Sequence, residues 1–241
     1  MKRHSNVEES QNRKPVKRKV RKRGLALRIA LAAAALYLGL FWMELLPDWL
    51  CWEKTASLQH GWNLILVNEE YRLPKSWETE LIELPGGEMV DSRIYPALQQ
   101  MFDEAESQGV YLVVASGYRT EEYQRQLMEE KVEQLEAQGY SGKGAKEEAG
   151  RWVAEAGHSE HQTGLAVDIN ADKIHTTGAA AYTWLADNAW EYGFILRYPE
   201  DKEAVTGTAY EPWHYRYVGQ EAAGEMERQG LCLEEYLERS D

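Results

Sequence analysis

The start of the chain changes abruptly from basic to apolar. Residues 1–28 contain eleven Lys or Arg and only two acidic residues. From Leu25 to Met43 the only charged residue is Arg28, and an apolar run of about 20 residues matches one bilayer crossing. Because the basic flank precedes this run, the positive-inside rule predicts a cytoplasmic tail and an external remainder. We therefore expect a single-pass protein of the cell membrane, held in the lipid bilayer by one N-terminal helix.

These boundaries give four predicted segments: a basic cytoplasmic tail at 1–24, a transmembrane signal anchor at 25–43, a stalk at 44–61 and an extracellular domain at 62–241. A cleaved signal peptide is the competing interpretation. No small-x-small cleavage pattern follows the apolar run, and the residues before Cys51 lack the small side chains of a lipoprotein signal. The pattern therefore favours an uncleaved anchor.

The domain begins with alternating short apolar runs and helical periods. Residues 63–68 predict a short buried strand or extended segment. Apolar residues spaced by three and four around Leu98 and Met101 predict a helix that ends at Gly109. The β-branched run 110–115 predicts a central strand, and Thr120 is the predicted N-cap of an acidic-fronted helix.

The second half of the domain repeats this alternation. Residues 141–157 predict a loop with one short helix, and the alternation from Leu165 to Ile169 has the period of a strand, with Asp168 pointing away from the apolar face. A helix that ends at Gly193, a strand at 194–197, an aromatic strand leading to Val218 and closing helical segments follow. Helices interspersed with short strands predict an α+β fold, a small mostly antiparallel sheet with flanking helices.

Charge and cysteine content narrow the class of protein. The chain carries a net charge of −13 although its start is strongly basic, so the domain itself is very acidic. Phosphate binding needs a basic surface, which argues against nucleic acid as a partner. Cys51 and Cys232 both lie on the predicted external side, where a disulfide could persist or both thiols could stay free.

Four polar residues form a candidate catalytic metal site. A catalytic zinc needs three His, Asp, Glu or Cys ligands and an open position for water. His161 precedes a turn, Asp168 lies on the strand after it, and His214 lies in the second aromatic strand. Glu211 could act as general base if Pro212, which restrains it to an extended conformation, places a bend before the strand.

Each of these residues also has an ordinary structural explanation. A lone His-x6-Asp spacing is weak evidence, because a core histidine bonded to a nearby aspartate is commoner than a metal site. Glu211 could be a surface acid. The helical His-Glu-x-x-His zinc motif is absent from the sequence, which excludes that class of metalloprotease.

Three motifs taken together give a specific resemblance. Ser116-Gly-Tyr-Arg119 with Gln124, then Ser159-Glu-His-Gln-Thr-Gly-Leu-Ala-Val-Asp168, then Glu211-Pro-Trp-His214 resemble the VanY-type D-alanyl-D-alanine carboxypeptidases. The similarity runs from about Asn63 to Leu237. The resemblance implies one Zn²⁺ per chain and hydrolysis of the terminal D-alanine from peptidoglycan stem peptides that end in D-Ala-D-Ala, the target of vancomycin-type antibiotics.

By this resemblance the zinc ligands are His161, Asp168 and His214, and Glu211 is the base that activates water. Arg119 is implied to stabilise the negative charge that develops on the substrate carbonyl. Four further positions are implied to line the pocket for the terminal residue and its carboxylate: Ser116, Tyr118, Gln124 and Ser159. The family often has Pro-Gly and an aromatic residue before Ser159, whereas this chain has Ala-Gly-His, so the resemblance does not define the shape of the subsite there.

Three other activities share parts of this pattern. L,D-carboxypeptidases that shorten tetrapeptide stems have the same ligands. Hedgehog-like zinc modules have the fold without peptidase activity, and the presence of both Glu211 and Arg119 argues against them. Lysostaphin-like endopeptidases tend to carry a His-x-His pair, which this sequence lacks.

Overall fold

The computed structural model describes residues 54–240. The predicted anchor at 25–43 and Cys51 lie outside this part of the chain. Among the described helices, none has the length and apolar character needed to cross a bilayer. Residues from 54 onward belong to one compact unit.

A four-stranded antiparallel sheet forms the centre of this unit. Its order is β5 (Leu112–Ser116), β6 (Ala166–Ala171), β8 (His214–Tyr217) and β7 (Phe194–Leu196). Two short pairs accompany it: β1 (Lys54–Thr55) runs parallel to β2 (Tyr71–Arg72), and β3 (Leu81–Glu83) is antiparallel to β4 (Met89–Asp91). This confirms the predicted α+β class with a mostly antiparallel sheet.

The sheet register aligns three of the predicted site residues in one row. Asp168 on β6 is directly opposite His214 on β8 and, across the other neighbour, opposite Ser116 on β5. A register irregularity lies between Val114 and Ser116, next to this row. Directly opposed residues in neighbouring strands have close side chains, so the register alone brings these three together.

Helices surround the sheet: α1 (Tyr95–Ser107), α2 (Glu121–Ala137), α3 (Gly142–Gly150), α4 (Gly178–Asn188), α5 (Glu203–Thr206), α6 (Gln220–Gln229) and α7 (Leu233–Ser240). The predicted cap of α2 is confirmed, since the Thr120 side chain accepts a hydrogen bond from the backbone N–H of Tyr123. Helix α4 continues as a 3₁₀ turn (Ala189–Tyr192) that ends at Gly193, whose φ of 84° is left-handed and suits glycine.

The hydrophobic core lies between the sheet, α1 and α4. Apolar side chains from the strands are fully buried, among them Val167, Ile169 and Phe194. Ile65 and Val67 from the segment before β2 are also completely buried in it. Residues 54–77 are therefore part of the packed domain rather than a loose connection to it.

One prediction needs correction. The apolar run at 110–115 is not a central strand: β5 is at the edge of the sheet, and Val113 is 42% exposed. For residues 63–68, the extended segment is the alternative that the structure has, since a 3₁₀ turn (Trp62–Leu64) leads into an extended, partly buried segment that joins no sheet. Its carbonyl groups at Asn63 and Ile65 accept hydrogen bonds from the Arg216 side chain instead.

Candidate active site

Three side chains of metal-ligand type converge at one end of the sheet. His161, Asp168 and His214 each offer one ligand atom, and all three atoms lie within 4.8 Å of one another. Asp168 Oδ1 is 3.4 Å from His161 Nε2 and 3.1 Å from His214 Nδ1. The sequence-predicted ligands are thus brought together by β6, β8 and the 3₁₀ turn at Glu160–Thr163.

The position of His161 is set by a backbone carbonyl. Its Nδ1 lies 2.8 Å from the oxygen of Gly117 and donates to it, which leaves the lone pair of Nε2 directed at the Asp168 carboxylate. Burial lowers the pKa of His161 below its ordinary value. A neutral imidazole with Nε2 as acceptor is the form that binds a metal.

His214 presents its other nitrogen to the site. Its Nδ1 faces Asp168 Oδ1, and its ring lies edge-on to that of His161 with centroids 4.9 Å apart. Burial acts to lower the pKa of His214, but its hydrogen bond to Asp168 and the nearby Glu160 carboxylate outweigh burial and raise the pKa to about 9. Burial likewise opposes the charged form of Asp168, yet the two histidines hold its pKa well below the ordinary value.

Glu211 lies beside His214 because the chain turns between them. The backbone N–H of His214 donates to the Glu211 carbonyl, so the bend expected before β8 is present, and the Glu211 carboxylate is 3.7 Å from His214 Nδ1. Glu211 is only 7% exposed, and burial raises its pKa to about 7. A carboxylate with such a pKa can take and return a proton near neutral pH.

Arg119 contacts two members of the aligned row. Its Nε donates to Ser116 Oγ at 2.9 Å, and its Nη2 donates to Asp168 Oδ2 at 2.8 Å. Asp168 therefore uses one oxygen toward the histidines and the other toward Arg119. Ser116 positions this guanidinium at the edge of the site.

A cavity of about 540 Å³ opens above these groups. Arg119, Gln124 and Ser159 line it together with the three ligand-type residues and Glu211, whereas Ser116 and Tyr118 are not among the lining residues. The predicted contacts of Ser116 and Tyr118 with substrate stay predictions.

The resemblance implies that Gln124 lines the pocket for the substrate carboxylate, which would need an N–H donor. Its amide Nε2 already donates to the carbonyl of Ala154 at 2.8 Å, while its buried Oε1 has no hydrogen-bond partner within the described residues. Gln124 as placed offers an acceptor, which suits an N–H group rather than a carboxylate.

The sequence interpretation missed a buried ionic cluster next to His214. Glu160 lies between Arg197 and Arg216, and all three side chains are essentially inaccessible to solvent. Glu160 directly precedes His161, and the two arginines occupy positions next to or within short apolar strands. The available sequence signal was a charged residue at a strand position that the alternating pattern predicts to be buried.

The donor set fits a catalytic zinc. Two imidazole nitrogens and one carboxylate oxygen make three protein ligands, the number that leaves a position for water or substrate. Both histidines have their second nitrogen directed away from the cluster, His161 to the Gly117 carbonyl and His214 toward Glu160. Such outer contacts fix the orientation of histidines that bind metal.

Comparison with known proteins agrees with this chemistry. A family model for VanY, D-alanyl-D-alanine carboxypeptidase, matches residues 87–220. A D-alanyl-D-alanine carboxypeptidase of Enterococcus faecalis is 57% identical over 184 residues, covering 76% of this chain and 69% of that protein.

Solved structures of related proteins superimpose on the domain. A vancomycin resistance D,D-pentapeptidase VanY in complex with Zn(II) has a TM-score of 0.72 at 56% identity and covers 73% of this chain and 99% of its own. VanYB in complex with D-alanine-D-alanine gives 0.74 at 56% identity, covering 75% and 99%. The LdcB LD-carboxypeptidase gives 0.61 at 38% identity, covering 72% and 84%. With a family model that matches more than half of its length and a relative at 57% identity, this chain belongs to the VanY family of D-alanyl-D-alanine carboxypeptidases.

Proposed function

We propose that this protein is a zinc-dependent D,D-carboxypeptidase that removes the terminal D-alanine from peptidoglycan stem peptides ending in D-Ala-D-Ala. One observation carries the proposal: a single cavity contains three ligand atoms within 4.8 Å of one another, a buried carboxyl group at Glu211 and the guanidinium of Arg119. These are the parts that metal-assisted peptide hydrolysis needs.

The residues divide the chemistry among them. His161, Asp168 and His214 would hold the zinc, which supplies a Lewis acid and lowers the pKa of water. Glu211 takes a proton from the attacking water and returns it to the nitrogen of the departing D-alanine. Arg119 lies against Asp168 and stabilises the negative charge that develops on the carbonyl oxygen.

Polar groups on the buried side of the cavity are suited to bind the C-terminal residue of a peptide substrate. Ser159 is 4% exposed and its hydroxyl can donate to the terminal carboxylate, which must be paired because an unpaired charge out of water is costly. Gln124 Oε1 accepts from a substrate N–H. Amidation of the substrate C-terminus should therefore lower kcat/KM by more than about tenfold, the loss of one charge-assisted hydrogen bond.

Release of D-alanine by the purified protein tests the function directly. A pentapeptide stem ending in D-Ala-D-Ala should lose one D-alanine, a chelator should abolish the reaction, and added zinc should restore it. Mass spectrometry of the products identifies the bond that is cut. Turnover that is indifferent to the chelator, or the absence of any shortened stem, would refute the proposal.

L,D-carboxypeptidase activity on tetrapeptide stems is the second candidate, favoured by the superposition on LdcB. The identity to VanY structures is 56% against 38% to LdcB, so we expect the pentapeptide to be shortened faster. Side-by-side assays of the two stems at equal concentration measure this preference. Faster loss of D-alanine from the tetrapeptide would show that the L,D-carboxypeptidase activity is the main one.

We further propose that residues 25–43 anchor the protein in the cell membrane, with residues 1–24 in the cytoplasm and the catalytic domain outside. The stalk expected at 44–61 is shorter, because β1 (Lys54–Thr55) and Ala56 already belong to the packed domain. The basic start and the apolar run support this orientation. Shortening of stems there would remove the target of vancomycin-type antibiotics. Protease added to intact protoplasts should digest the domain and spare the tail, and protection of the domain would reverse the orientation.

A further inference from the structure

Next to His214 lies a cluster of four buried charges, one of which, Glu160, also lines the cavity. Glu160 Oε1 accepts from Arg197 Nε at 2.8 Å and from Arg216 Nη1 at 2.7 Å. Arg197 also makes a bidentate pair with Glu234, at 2.6 and 2.9 Å. Two arginines and two glutamates balance in charge, so the cluster can be buried without a net charge.

One oxygen of this cluster, Glu160 Oε2, makes no hydrogen bond within it and faces His214. Glu160 Oε2 and His214 Nε2 are both buried and both lack a hydrogen-bond partner within the described residues. They lie 3.6 Å apart, about 0.6 Å beyond an ordinary N–H to O distance. Buried polar groups seldom stay unpaired, and a bond between these two atoms would satisfy both of them.

We propose that Glu160 is a positioning residue: its Oε2 accepts a hydrogen bond from His214 Nε2–H and thereby keeps the lone pair of His214 on Nδ1, directed at the metal. The inference rests on the proposed zinc site. Arg197 and Arg216 hold Glu160 by its other oxygen, so the carboxylate cannot turn away from the imidazole. The two histidines are then oriented by different hydrogen-bond acceptors, His161 by a backbone carbonyl and His214 by an ion-paired carboxylate.

Replacing Glu160 with Gln gives a sharp test of the tautomer. The carbonyl oxygen of the new amide would face the arginines, which are donors only, and its NH₂ group would face His214 Nε2. An amide donor at that place favours an unprotonated Nε2 and a proton on Nδ1, which removes the lone pair needed for the metal. We expect Glu160→Gln to raise the zinc dissociation constant about 10- to 100-fold, the usual cost of losing an outer-shell partner.

Glu234→Gln is the matched control. It makes the same chemical change and leaves the cluster with the same single uncompensated positive charge. Glu234 is also nearly buried, at 8% exposed, but it pairs with Arg197 and not with His214. Both variants should lower the thermal stability of the chelator-treated protein to a similar extent. Only Glu160→Gln should weaken zinc binding, measured by competition with a fluorescent chelator, and change the visible spectrum of the cobalt-substituted protein.

Nitrogen NMR of the zinc-loaded wild-type protein supplies a test that needs no variant, should Glu160→Gln fail to fold. The proposal requires a proton on His214 Nε2 and a metal-bound Nδ1. A His214 bound through Nε2, or equal zinc affinities for the two glutamine variants, overturns the role of Glu160 and leaves the proposed function standing. Absence of zinc binding by the wild-type protein refutes the proposed function itself.

Discussion

Glu211 shows at the scale of one residue how burial prepares a side chain for catalysis. The carboxyl group lies beside His214 and is nearly inaccessible, and burial favours its neutral form. A group that accepts a proton from water and later gives it back needs a pKa near the working pH. The environment of Glu211 meets that requirement, while Asp168 a short distance away stays ionised.

Replacement of this carboxylate should separate proton transfer from metal binding. Glu211→Gln keeps the size of the side chain and leaves all three ligand atoms in place, so zinc content should not change. Turnover should fall by a factor on the order of 10² or more, as is usual for the loss of a general base. Glu200→Gln, the same change at an exposed position, should leave both quantities unaltered. Turnover of Glu211→Gln within a few-fold of wild type would exclude it as the base.

The same residue predicts the acid side of the pH profile. Glu211 must be ionised to accept a proton, so kcat/KM should fall as the pH drops through its pKa. Burial raises that pKa from 4.5 to about 7, and the positive charge of zinc favours the ionised form, so the midpoint should lie between these values. Zinc content must be checked at each pH, because protonated histidines release metal. A flat profile across this interval would contradict the assignment.

Gly117 connects two elements, the end of β5 and the strand β4. A Cβ atom at this position would lie 2.2 Å from the carbonyl oxygen of Met89, which is backbone and cannot move aside. The Gly117 carbonyl accepts the hydrogen bond that orients His161. The close approach of two strands therefore also fixes a proposed metal ligand.

Gly117→Ala should disturb both functions of this contact. We expect a loss of about 1–3 kcal/mol in the free energy of unfolding, the usual effect of overpacking, together with weaker zinc binding. Gly86→Ala is the control, since a Cβ at Gly86 meets no atom within 4 Å. Denaturant titration and chelator competition measure the two effects. If Gly117→Ala is as stable as the control, the backbone at Gly117 and strand β4 can move apart at little cost in free energy.

The elements that could be predicted from sequence are those with a local signal. The periods of α1 and α2, the Thr120 cap and the stop at Gly193 depend on neighbouring residues, and the structure agrees with each. The position of β5 in the sheet does not depend on its own residues, because an apolar run looks the same at the edge and in the centre. Residues 63–68 were ambiguous for the same reason: their partners are the distant side chains of the domain.

The site residues likewise divide into those with a local sequence signal and those without one. The three ligand-type residues and Glu211 could be found because they fall in short motifs whose order is itself informative. The burial of Arg216 in a strand had a local signal, but the pairing of Glu160 with Arg197 and Arg216 did not, since these pairs join residues 37 and 56 positions apart. Pairings of that kind follow from the tertiary fold and have no signature in sequence spacing.

At the scale of the whole molecule, the domain extends beyond the part that the family model matches. That part begins at residue 87, yet Ile65 and Val67 are completely buried and Trp77 donates from its indole nitrogen to the carbonyl of Thr163. The backbone of Leu73 also donates to the carbonyl of Gly157. Residues 63–77 thus support the loop that leads into the proposed metal ligands.

Truncation should reveal this dependence. A chain that begins at residue 54 should fold and bind zinc, whereas one that begins at residue 79 loses two fully buried aliphatic side chains, each of which contributes about 1.5–3 kcal/mol. Together these amount to about 3–6 kcal/mol, which reaches the lower end of the roughly 5–15 kcal/mol that is typical of a domain. We expect the shorter chain to melt at a much lower temperature or not to fold, as measured by circular dichroism. Equal melting temperatures would show that residues 54–78 are dispensable.

The pairing of Asp168 with His214 across the sheet has a consequence for how long the site keeps its shape. The two residues are 46 positions apart in the chain and face each other across the two inner strands, β6 and β8. Loops fluctuate within microseconds, but inner strands separate only in rare, large openings of the kind that amide hydrogen exchange detects. We therefore expect the relative position of these two ligands to persist while the loops move, and to be lost only in the openings that expose the β6 amides to exchange.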